Sequence, residues 1–104
     1  MAADLPDLVL RIRALLDASE GAGVPRKDVE PTLTEGYARA LEIDGECLRL
    51  EHRIDRMTHA LAEGREVPAG KLSALLNRLH EAEQQAEDLR ALLAPLRKLV
   101  AKAA

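Results

Sequence analysis

Two stretches of this sequence repeat apolar or small residues at alternating spacings of three and four without a slip. The first runs Leu33, Gly36, Ala40, Ile43, Cys47, Leu50, Ile54, Met57 and Leu61. The second runs Leu72, Leu75, Leu79, Ala82, Ala86, Leu89, Leu93, Leu96 and Val100. That spacing keeps one stripe on one side of an α-helix, and heptads sustained this long read as a coiled coil. A β-strand would alternate every second residue, which neither stretch does. The spacing predicts two long helices, and the short segment between them makes the helices antiparallel neighbours.

Composition narrows what the seam can be. The chain has 19 leucines and 18 alanines but one Tyr and no Phe or Trp. Leu and Ala are strong helix formers, whereas strands favour β-branched and aromatic residues. Binding pockets and bulky cores use aromatic area, so its scarcity predicts thin helix-helix seams. Charged residues of both signs are interleaved and the net charge is −3, which argues against nucleic acid as a partner. No apolar run approaches the roughly 18 residues that span a bilayer, so no membrane association is expected. One cysteine cannot form an internal disulfide, and no secretory leader pattern opens the chain. Together these suggest a cytoplasmic protein.

The expected fold is all-α: a long antiparallel helical hairpin with a shorter N-terminal helix, assembling into a helical bundle as one domain over 1–104. The first helix is expected over about 5–19, with Asp4 as N-cap, Pro6 in the first turn and Gly21 and Gly23 at its end. The second is expected over about 29–63. It would start between Asp28 and Thr32, with Thr32 and Glu35 fitting a capping box, and stop at Gly64. The third is expected over about 69–102, with a kink or short break near Ala91 to Ala94 because Pro95 removes the bond to the Ala91 carbonyl. Glu20-Gly21-x-x-Val24-Pro25 recurs as Glu63-Gly64-x-x-Val67-Pro68. Convergent loop chemistry explains the echo without a duplication.

Matching large residues to small ones suggests a register for the hairpin. It pairs Leu61 with Leu75, Met57 with Leu79, Ile54 with Ala82, and Leu50 with Ala86. Further on it pairs Cys47 with Leu89, Ile43 with Leu93, Ala40 with Leu96, and Gly36 with Val100. In that register Asp44 and Glu51 lie near Arg90 and Arg97.

Apolar residues beside the seam are the candidate partner interface: Tyr37, Leu41, Leu48, Leu76, Leu92 and Leu99. A two-helix hairpin leaves them exposed, and the short first helix cannot cover them all. The leading expectation is therefore a non-enzymatic interaction module. It would be a homodimer or a subunit docking on a helical protein partner. One alternative is a small all-α enzyme or ligand binder with a site between subunits, where Arg49, Arg53 and Arg56 would line an anionic-ligand pocket. Another is a weak metal-binding bundle using His52, Asp55 and His59, which share one helix face. Metal sites need more ligands from other elements, so those three read better as a solvated polar face, and His80 has no evident partner. Cys47 falls on the seam and reads as a small hydrophobe, not a nucleophile. Glu81, Glu83, Glu87 and Asp88 read as a solvated helix face. The segment Gly64–Lys71 lacks the spacing of a phosphate loop and reads as a tight turn, though such exposed tips often carry contacts. No catalytic residue, metal or cofactor is assigned.

In size and hairpin shape the chain resembles the small helical hairpins of the WXG family. Where that family has Trp-x-Gly, this turn reads Ala62-Glu63-Gly64. The run Leu48-Arg49-Leu50-Glu51-His52-Arg53-Ile54-Asp55 resembles the long first helix of the all-helical chorismate mutases. Their downstream basic pocket residues are not found at the expected spacing. No function is carried over from either family.

Overall fold

A computed structural model describes residues 4–21 and 23–102, with the side chain of Lys102 left aside. It is all-α: a hairpin of two long helices with a shorter N-terminal helix. The elements in chain order are α1 (Leu5–Ser19), α2 (Arg26–Ala62) and α3 (Lys71–Lys102). No helix among the described residues is long and apolar enough to cross a membrane.

Local chemistry sets the helix ends, with some departures from expectation. Asp4 stands at the N-cap of α1, but its side chain makes no capping bond. Its backbone carbonyl accepts from the Leu8 N–H at 3.0 Å. Helix α2 starts upstream of both expected caps, at Arg26, with Asp28 N–H donating to the Pro25 carbonyl at 3.0 Å. Thr32 is consequently a buried mid-helix residue, not a cap. The end of α2 is a Schellman motif. Arg65 N–H donates to the Ala60 carbonyl at 2.9 Å, and Gly64 N–H donates to that of Leu61 at 3.0 Å. Gly64 takes the left-handed conformation this requires (φ 79°), whereas Gly21, its counterpart in the sequence echo, does not. The two echoed glycines thus do different jobs, as convergent loop chemistry would have it. Helix α3 continues through Pro95, so of the kink or short break expected there, the break does not occur.

The chain clusters into two compact units. The first combines the residues up to Leu41 with those from Glu87 onward. It therefore holds α1, the start of α2 and the end of α3. Its buried apolar side chains include Leu8 and Ile12 of α1, Val29 and Ala40 of α2, and Leu89, Leu93 and Leu96 of α3. The short link between α1 and α2 makes these two antiparallel. Arg11 Nη2 donates to Glu35 Oε2 across them at 2.6 Å. Gly36 of α2 lies directly against Leu93 of α3.

The second unit is Glu42–Ala86, a plain two-helix hairpin. Ile43 and Leu50 of α2 and Leu75, Ala82 and Ala86 of α3 are buried. Cys47, Ile54, Met57, Leu72 and Leu79 are only half-buried. With one neighbour per helix, a seam residue here keeps one flank open to water. Arg78 Nε donates to Glu46 Oε1 across the hairpin at 3.3 Å.

These contacts correct the expected register by one heptad. Gly36 meets Leu93 instead of Val100. Continuing that spacing within the first unit sets Ala40 across from Leu89. The physical reason is that Gly36 is the smallest residue of the seam. It admits a fully buried leucine there, and a heptad shift preserves most of the large-to-small matches that the sequence argument relied on.

Candidate interaction surfaces

In the second unit the α2 core residues Ile43 and Leu50 point one way, which turns Leu48, His52, Asp55 and His59 outward on the opposite stripe at 100° per residue. In the first unit Leu41 is 68% exposed, with Tyr37 one turn before it also exposed. Leu92 and Leu99 of the same unit are half-buried. In the second unit Leu48 is 57% exposed, and Leu76 is exposed too. Two leucines escaped the sequence argument. Leu10 of α1 is 65% exposed and stands two residues off the stripe that carries Leu8 and Ile12, an offset the periodicity does record. Leu61 was assigned to the seam and is 48% exposed.

The polar stripe of the second unit borders a shallow depression of about 700 Å³ lined by His52, Asp55, Arg56, His59 and Arg65. The His59 Nδ1–H donates to the Asp55 backbone carbonyl at 2.8 Å. A carbonyl can only accept, so this bond places a proton on Nδ1. Arg65 is held by Glu63 at 2.6 Å. His52 and His59 are two turns apart, about 10 Å along the axis at 1.5 Å per residue. Among the described residues no group of three or more His, Cys, Asp or Glu is placed to hold a metal ion.

A second, smaller depression of about 300 Å³ lies at the turn of the hairpin. Arg53 and Arg56 of α2 and Lys71 of α3 border it, with Met57, Ala60, Val67 and Pro68 supplying apolar surface and Glu66 the one carboxylate. Arg49 does not reach it, so the three arginines considered together from the sequence do not converge as a set.

Burial raises the Cys47 thiol above its ordinary value, and the carboxylates of Glu83, Asp44, Glu51 and Glu46 push in the same direction. All of these disfavour the thiolate, the reactive form. His80 is exposed, as are Glu81, Glu83, Glu87 and Asp88. Comparison with known proteins finds no matching family, no matching curated sequence and no matching solved structure.

Proposed function

We propose that this chain is a helical interaction module that works by docking the outer face of α2 on another helix, most simply that of a second copy. The exposure of Leu41 and Leu48 carries this reading. Each sits mid-helix, where nothing in the backbone demands a large apolar side chain and a charged one would be more soluble. Covering such a leucine contributes about 1.5–3 kcal/mol. A closed two-fold pair is the commonest arrangement for like chains and would cover both copies at once. Tyr37, Leu76, Leu92 and Leu99 would extend or border the contact.

Sedimentation equilibrium at micromolar concentration tests it. The wild-type chain is expected to give a dimer mass. Leu41→Glu with Leu48→Glu should give a folded monomer by mass and circular dichroism, and His52→Glu with His59→Glu should leave the dimer intact. A strictly monomeric wild type would overturn self-association.

A further inference from the structure

The depression at the hairpin turn differs in character from the leucine face, and a separate observation supports it. Four arginines elsewhere each hold a glutamate: Arg11 with Glu35, Arg26 with Glu30, Arg65 with Glu63 and Arg78 with Glu46. Among the described residues no carboxylate lies within ion-pair distance of Arg53, Arg56 or Lys71. These three cations instead surround an apolar floor built from Met57, Ala60 and Val67, which are half-buried. Only Glu66 opposes them there. A chain with net charge −3 thus concentrates positive charge on one small concavity.

We propose that this depression docks an acidic amphipathic peptide segment of another protein. An apolar side chain of the segment would rest on Met57 and Val67, and carboxylates beside it would pair with Arg53, Arg56 and Lys71. Guanidinium groups suit this task because their forked donors match a carboxylate in two parallel hydrogen bonds. Nucleic acid fits less well. Its recognition relies on aromatic platforms or an extended basic track, and the hairpin unit has no Phe, Tyr or Trp. This surface is distinct from the α2 leucine face, and each can fail without the other.

The test uses the full chain, isotopically labelled for NMR, and a short synthetic helical peptide with one leucine flanked by glutamates. Expected shifts are confined to Arg53–Ala60, Val67 and Lys71, and binding weakens as salt is raised. Arg53→Glu, Arg56→Glu and Lys71→Glu together should reduce affinity by roughly tenfold or more through lost charge-assisted bonds, with helicity unchanged because all three are exposed. Changing the peptide's leucine to serine should also abolish the shifts. The proposal is overturned by no shifts at millimolar peptide, by shifts centred on Leu41 or Leu48, or by equal binding of the serine peptide. Equal shifts from oligothymidine would replace it with a nucleic-acid site. The same shifts on concentrating the chain alone would replace it with self-docking.

Discussion

Gly36 of α2 and Leu93 of α3 touch so closely that a β-carbon on Gly36 would collide with Leu93 Cδ2 and come within 3.2 Å of Cδ1. Leu93 is fully buried, so moving its methyl groups aside would disturb the packing around it. Overpacking costs about 1–3 kcal/mol, while alanine gains about 1 kcal/mol over glycine in a helix. Gly36→Ala is therefore expected to lower stability by roughly 1 kcal/mol in urea denaturation. Gly45 is the contrast. Its β-carbon would meet nothing nearer than Arg49 Nη1 at 3.4 Å. Gly45→Ala should raise stability by about 0.5–1 kcal/mol.

The register itself is open to crosslinking. With Cys47 changed to Ala, cysteines at Ala40 and Leu89 should form a disulfide within one chain. Cysteines at Ala40 and Leu96, the pairing suggested by size matching alone, should not. Reversed yields on a non-reducing gel would restore the heptad-shifted register.

Pro95 lies inside α3 and is exposed. Pro95→Ala restores an N–H that can donate to the Ala91 carbonyl, so stability should rise by up to about 3 kcal/mol. A fall in the thermal midpoint would mean that the proline sets a bend the first unit requires.

Cys47 ties stability to alkaline pH. Below its ordinary value the thiol is protonated in folded and unfolded chains alike, so the native advantage is complete there. As pH rises the unfolded chain ionises first, and the advantage is lost through the higher folded-state value. The difference in stability between wild type and Cys47→Ala should therefore shift against wild type above that range. Parallel denaturation curves at neutral and alkaline pH would contradict this.

How much of this was legible beforehand depended on the range of the forces involved. The helices and the side each buries follow from spacing within a few residues, and Ile43, Leu50, Leu75 and Leu89 are buried on that account. Leu41 and Leu48 were recognisable as outward-facing by the same arithmetic. The register was not, because a seven-residue repeat is nearly blind to a seven-residue slip; only the fit of Leu93 over Gly36 distinguishes the two. The Thr32 cap failed because a residue's capping ability does not say whether the helix starts there, whereas Asp4 does stand where α1 begins. The depression at the turn was harder still. Arg53, Met57, Val67 and Lys71 come together through the closing of the hairpin, and no local pattern in the sequence records which charges lack a partner.

The turn between α2 and α3 carries a sense of handedness that ordinary residues cannot match. Gly64 and Gly70 hold φ angles of 79° and 83°, and space is open around both. That region is strained for L-residues and is the mirror image of where they rest easily. A chemically synthesised chain with D-alanine at these two sites should therefore fold at least as stably as the natural one. L-alanine at the same sites should weaken it. The two diastereomers, identical in composition, charge and hydrophobicity, would differ only in which way the backbone is allowed to turn.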